Sequence, residues 1–342
     1  MELPRQPAGL ESAVTLPPDL AAVKGEPRAI TSAMNKIERV RATLAGRPVD
    51  RAPFTVWYHF GNQHAPAERT AQVHVEFFDH YDLDLLKLMN DYDYPMPAGL
   101  EVVATAQDLG RLQPFDPLKT PFGTQLQTVE LVARALRDRA LFVDTVFNAW
   151  NTLKRNLVRE AMPGLMAEQP QAVEAALRIV NDNLIRYAQA SLERGAAGIF
   201  LSVPATAESV TSEQYERFMR PFDLAFLEAI RGRGECHVLH AHGERLYFDR
   251  LVDYPVHALS WADLNGGPSI AEARRRTPLT LMTGLDHARF VESSARRARE
   301  GVRAALAAGG DTRFILAPGC SLPTYAYPPL IRAAREESAK SR

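Results

Sequence analysis

Short apolar runs rich in β-branched residues alternate along this chain with longer stretches in which apolar positions recur every three to four residues. The short runs fall at 52–58, 85–90, 141–147, 197–203, 236–240, 256–260, 278–283 and 312–317, which predicts eight strands. Between them the helical period predicts helices over 69–81, 129–139, 171–194, 212–231, 270–276 and 288–308. Gly195, Gly232 and Gly309 stand where left-handed C-terminal caps would end three of these helices, and Thr211-Ser212-Glu213-Gln214 offers an N-cap. Strands alternating with crossover helices predict an α/β fold with a parallel sheet. Eight such units point to a single (β/α)8 TIM barrel over residues 32–342, with an open doubly wound sheet as the alternative. No Gly-x-Gly-x-x-Gly or Walker pattern follows a strand, which counts against the nucleotide-binding form of the open sheet. Residues 95–126, dense in Pro and Gly, read as an insertion after the second strand, a hairpin over the barrel mouth. Residues 1–31 contain Pro4, Pro7, Pro17, Pro18 and Pro27 and read as an extended N-terminal leader.

Composition narrows the function without changing the fold. With 46% hydrophobic and 24% charged residues in 342, the chain has globular rather than disordered character. Its 40 basic and 41 acidic residues leave a net charge of -1, so no broad basic surface for nucleic acid or an anionic membrane is expected. No run reaches the roughly 18 apolar residues of a membrane span, and no signal-peptide order opens the chain. A cytoplasmic protein acting on a small molecule, as a monomer or homodimer, is the expectation. Cys236 and Cys320 are too few for a disulfide framework, which leaves ligand or nucleophile roles for a thiol.

In a barrel the chemistry gathers at the carboxyl ends of the strands. Those ends carry Trp57, Tyr58 and His59; Asn90 and Asp91; Asn148 and Trp150; Ser202; His240, His242 and Glu244; Trp261 and Asp263; Asp286 and His287; and Cys320. In an extended segment His240 and His242 point to the same side, and with Cys320 they make three nitrogen and sulfur donors. Three protein ligands and an open position form the pattern of a catalytic zinc site. Hydrogen-bonded histidines beside a small buried thiol remain the alternative that spacing alone leaves open. Cys236 begins its strand and is expected to be a structural thiol at the opposite face. Asp91 emerges from an almost wholly apolar run, where a carboxylate either needs a cationic partner or becomes suited to proton transfer; a loop or capping role is the plainer reading. Asp91 and His59 are the catalytic candidates. Trp57, Tyr58, Trp150 and Trp261 would form flat pocket walls or pack the rim, with Asn148, Ser202 and Asp286 as polar substrate contacts.

Several segments also carry a family resemblance. Residues 39–53, Arg-Val-Arg-Ala-Thr-Leu-Ala-Gly-Arg-Pro-Val-Asp-Arg-Ala-Pro, resemble the opening helix and first strand of the uroporphyrinogen decarboxylase superfamily. Residues 212–221, Leu239–Gly243, Thr283-Gly284-Leu285-Asp286 and 315–320 extend the likeness over roughly 32–340. It implies a one-domain barrel and two possible chemistries. The decarboxylases act without a cofactor, using arginines near strand one and an aspartate after strand two, to which Asp91 corresponds. Their Arg-Gln-Ala-Gly-Arg segment is replaced here by Tyr58-His59-Phe60-Gly61-Asn62, and no arginine lies between Arg51 and Arg69. The other branch moves a methyl group between a corrinoid, carried on a separate protein, and a thiol, with zinc held by His-x-Cys and by the Cys of a Pro-Gly-Cys motif. Pro318-Gly319-Cys320 and His240 match that motif set, while His242 stands in place of a cysteine. The resemblance thus implies a zinc-dependent, methyltransferase-like enzyme. The alternatives are a carboxy-lyase with Asp91 at its centre and a catalytically silent barrel that binds a corrinoid, a tetrapyrrole or a partner protein.

Overall fold

Seven of the expected apolar runs pair into one all-parallel sheet in the computed structural model, which describes residues 33–340. The leader expected over 1–31 lies outside the described residues. The strands are β1 (Leu85–Leu88), β2 (Leu141–Phe147), β3 (Gly198–Val203), β4 (Val238–Ala241), β5 (Ala258–Trp261), β6 (Thr280–Leu285) and β7 (Phe314–Pro318). They neighbour one another in chain order from β1 to β7. An order without reversal has no topological switch point, which removes the doubly wound alternative.

The expected first strand, 52–58, departs from its prediction. It makes a single parallel bridge, Phe54 to Leu316 of β7, and forms no ladder. Pro53 has no N–H to donate, and Thr55 turns its hydroxyl onto the Leu85 carbonyl at 2.7 Å. The segment still touches both ends of the sheet: Thr55 N donates to Leu316 O (3.1 Å), Leu316 N to Pro53 O (2.9 Å), and Asp84 N to Phe54 O (2.8 Å).

Burial on both faces explains why the strands read as continuous apolar runs. Leu85, Met89, Val143, Phe200, Val238, Ala258, Met282 and Ile315 pack on the inner face, with Val40 and Leu44 of helix Lys36–Leu44. The alternate positions, among them Leu86, Leu201, Leu239, Leu259, Leu281 and Leu316, pack in the cluster that includes the surrounding helices. Those helices include Ala67–His80, Pro121–Leu136, Pro170–Glu193 and Ala295–Gly309. The helix expected over 212–231 breaks at Met219 into Ser212–Phe218 and Arg220–Ala229, with Pro221 in the first turn of the second piece. The expected hairpin over 95–126 is also replaced: Ala106–Leu109 is a short helix capped by Thr105, and Asp116 caps a single turn at Pro117–Lys119. None of the helices of the described residues is long and apolar enough to cross a membrane.

One buried ion cluster anchors the bridging segment. The Arg39 guanidinium spans Asp50 (2.7 Å) and Asp84 (2.7 Å), and Arg51 grips the same Asp84 carboxylate at 2.5 and 2.9 Å. Phe54 N donates to Asp84 at 2.9 Å. Asp84 is fully buried, so removing its charge would leave Arg51 without its carboxylate and Arg39 with Asp50 alone. Asp84→Asn is expected to lower the unfolding free energy by ~3–5 kcal/mol in urea denaturation; a change below ~1 kcal/mol would mean that backbone bonds alone hold 53–55.

Candidate metal centre

Register puts the first donor in place. Ser202 of β3, His240 of β4 and Ser260 of β5 are aligned across the sheet, and His240 is buried. Its Nδ1 pairs with Ser260 Oγ at 3.1 Å, which fixes the ring and leaves Nε2 as the ligand atom. Phe200 and Trp57 hold the imidazole by their rings, with centroids at 5.2 and 6.4 Å.

The other two donors are set by turns. His242 follows β4, its N–H donating to Val203 O at 3.0 Å, and the chain then leaves through Gly243 at φ +106°. Beyond β7, Gly319 packs so closely that a Cβ would lie 2.6 Å from Ala262 Cα and 3.1 Å from His287 Nδ1. Only glycine fits there, and Cys320 comes immediately after it. Cys320 Sγ lies 3.5 Å from His242 Nδ1, and the donor atoms of His240, His242 and Cys320 all lie within 4.8 Å of one another.

The electrostatics suit a thiolate. Burial alone would raise the Cys320 thiol, but hydrogen bonds from His240 and His242 outweigh it and bring the pKa down to about 3. The bond to Cys320 raises the pKa of His242, outweighing its partial desolvation, whereas burial lowers that of His240. Two imidazoles and a thiolate, with a hydroxyl orienting one imidazole, fit a tetrahedral zinc site with a position left for substrate. Cys236 is fully buried, and burial pushes its pKa up to about 12, in keeping with the structural thiol expected there.

The structure brings together some of the residues singled out in the sequence and separates others. Trp57 and Ser202 adjoin His240. His59 Nδ1 and Asp91 Oδ1 meet at 2.6 Å, with His59 the more exposed of the two. Tyr58 points the other way and packs on Phe60 and Phe77, because its neighbour Trp57 takes the inner face. Trp261, aligned with Ala241 rather than with His240, also faces the helices, its Nε1 donating to Pro268 O at 2.8 Å. Trp150 donates to Met166 Sδ at 3.4 Å in the same outer layer. Asn148 caps the helical turn Ala149–Thr152 and donates to buried Asp223 at 2.9 Å. Asp286 accepts from the backbone N–H and the guanidinium of Arg289 at 3.2 and 3.1 Å. Asp263 accepts from Thr283 Oγ1 at 2.6 Å and Gly284 N at 3.2 Å.

Two residues escaped the sequence reading. Ser260 closes the expected run 256–260, but its meaning depends on its alignment with His240. Lys87 stood as the one charge within Leu85-Leu86-Lys87-Leu88-Met89, a run read only as apolar. The structure buries it on the inner face below Trp57 and Phe200.

A parallel α/β sheet that gathers a His-His-Cys donor set at its strand ends belongs to the class of folds that carry enzyme active sites there. The family model described as uroporphyrinogen decarboxylase (URO-D) matches residues 35–338, and the chain belongs to this family. No curated protein gives a significant sequence match. Among solved structures, a methyltransferase from Methanosarcina mazei is similar with a TM-score of 0.71 at 16% identity, over 89% of this chain and 98% of that one. A B12-independent methionine synthase from a Shewanella species, in complex with selenomethionine, gives 0.56 at 13% identity, over 84% and 94%. GH5_18 from Streptomyces cattleya, in complex with GlcNAc, gives 0.54 at 13% identity, over 84% and 80%. Likeness at such identities shows the fold alone, and the spread of these names illustrates that one fold hosts many chemistries.

In metal-free protein, iodoacetamide is expected to label Cys320 readily at pH 6, where a thiol of ordinary pKa reacts slowly, and to spare Cys236. His242→Ala should move the midpoint of labelling upward in pH. Equal labelling of the two cysteines, followed by peptide mass spectrometry, would contradict the thiolate assignment.

Proposed function

We propose that this chain is a zinc-dependent, methyltransferase-like enzyme whose metal is held by His240, His242 and Cys320 at the mouth of a (β/α)8 barrel, with segment 53–55 as the eighth stave. The observation that carries the reading is the convergence of three zinc-type donors within 4.8 Å, from the ends of β4 and β7. Zinc bound there would supply Lewis acidity toward a thiol or another small substrate. Cys320 is poised as a thiolate, so it can serve as a ligand without first losing a proton. Ser260 keeps His240 in one orientation. The His59–Asp91 pair is assigned to orienting the substrate or moving its proton, since a hydrogen-bonded imidazole and carboxylate can pass a proton between them. Trp57 and Ser202 border the site, while Tyr58, Asn148, Trp150 and Trp261 support it from the helix side. The methyl donor in the branch this chain resembles is a corrinoid on a separate protein, and the reading carries that donor over, in a cytoplasmic setting. Histidine in place of cysteine at 242 leaves the site less negative by one charge, which favours Lewis acidity over electron donation to a bound thiolate.

The Asp91 decarboxylase reading is favoured by the family description but lacks the cations it needs. Arg51, the arginine preceding this segment, is committed to Asp84, and residues 52–68 contain none.

Full-length protein purified without chelator from zinc-supplemented culture is expected to hold about one equivalent of zinc, with the site lost in Cys320→Ser and His240→Ala. Metal-free wild-type protein would overturn the proposal. Activity that survives chelation yet disappears in Asp91→Asn would establish the carboxy-lyase instead.

A further inference from the structure

One buried charge has no role in that scheme. Lys87 points to the inner face between Leu85 and Met89 and is 3% exposed. Its ammonium has no carboxylate within 4.0 Å among the described residues, and its hydrogen-bond partner there is Met89 Sδ at 3.3 Å. It sits 4.6 Å from the centroid of Phe200 and 5.5 Å from that of Trp57, the two rings that hold His240. Cation–π contacts compensate part of the lost hydration, but an apolar side chain of similar length would fill the place without the desolvation penalty. A charge kept in such a place has a use to be found. Burial lowers the Lys87 pKa to about 8, and Cys320 is the strongest of the charges that oppose the fall, ahead of Asp91 and Asp144. Apart from Cys320, the two ring faces and the charges of Asp91 and Asp144 favour the ammonium form.

We propose that Lys87 makes the open position of the His240–His242–Cys320 site selective for anionic ligands. The inference rests on the zinc reading: a divalent ion with two neutral imidazoles and one thiolate keeps one positive charge in excess, and Lys87 adds a second from below. An anion, including the thiolate form of an acceptor, is drawn to that position ahead of a neutral ligand of equal size. Lys87 would act through the field across the Phe200–Trp57 pair and not by contact with the ligand, which makes it a positioning residue.

The test uses full-length protein carrying cobalt(II) in place of zinc, whose visible spectrum reports the ligands. Thiocyanate serves as the anionic probe and imidazole as the neutral one. In Lys87→Met, thiocyanate should bind about tenfold more weakly than in wild type while imidazole changes by less than about twofold. Melting of the metal-free variant at or above the wild-type temperature would show that the fold is kept, and Lys87→Gln provides a second neutral replacement if Met packs badly. Equal thiocyanate affinity in wild type and in the folded neutral variant overturns the role of Lys87. A wild-type protein that gives no tetrahedral cobalt spectrum before any probe is added overturns the zinc reading itself.

Discussion

Asp84 is the constraint on which the arrangement of the chain depends. Its carboxylate is buried immediately before β1, receives two guanidiniums and the Phe54 N–H, and so fixes helix Lys36–Leu44, the 50–54 loop and the first strand against one another. The segment between β7 and β1 has one bridge and a proline where a ladder bond would form. Charge therefore holds what the backbone does not. Trp57 and His59 follow directly from this segment, and their meeting with His240 and Asp91 inherits its precision from the ion cluster.

Much of the fold was legible because the strands are mostly apolar on both faces and polar residues follow closely on most of them. The seven sheet strands lie within or close to the runs marked in the sequence, while the run at 52–58 makes one bridge and no strand. What periodicity does not reveal is which parity faces inward at a strand end. Trp57 and Tyr58 are adjacent, and a one-residue difference sends one to His240 and the other to Phe77. Trp261 is the same lesson across strands, since its alignment with Ala241 decides its side. The hairpin expected at 95–126 failed because Pro and Gly mark interruption without saying what fills it; the Thr105 and Asp116 caps select short helical turns.

The donor set was legible for a different reason. A His-x-His spacing and a Pro-Gly-Cys turn are local patterns whose geometry is set by the strand repeat and by steric exclusion at one glycine, so they survive even where the surrounding side chains are misassigned. Lys87 illustrates the opposite case. Its significance is three-dimensional, arising from the lack of a carboxylate within 4.0 Å among the described residues and the presence of two aromatic rings, and neither is written near it in the chain.

The crowding at Gly319 has a consequence for how this site can change. With backbone on one side and an imidazole on the other, the turn ahead of Cys320 tolerates no side chain, so the sulfur donor is delivered along a single fixed approach. His242 lies just past the end of β4 and is exposed, so a donor of different reach can be exchanged there without disturbing buried packing. The cluster therefore has a rigid jaw and an adjustable one, and a protein engineer changing its donor set would work on position 242 and leave the glycine–cysteine pair untouched.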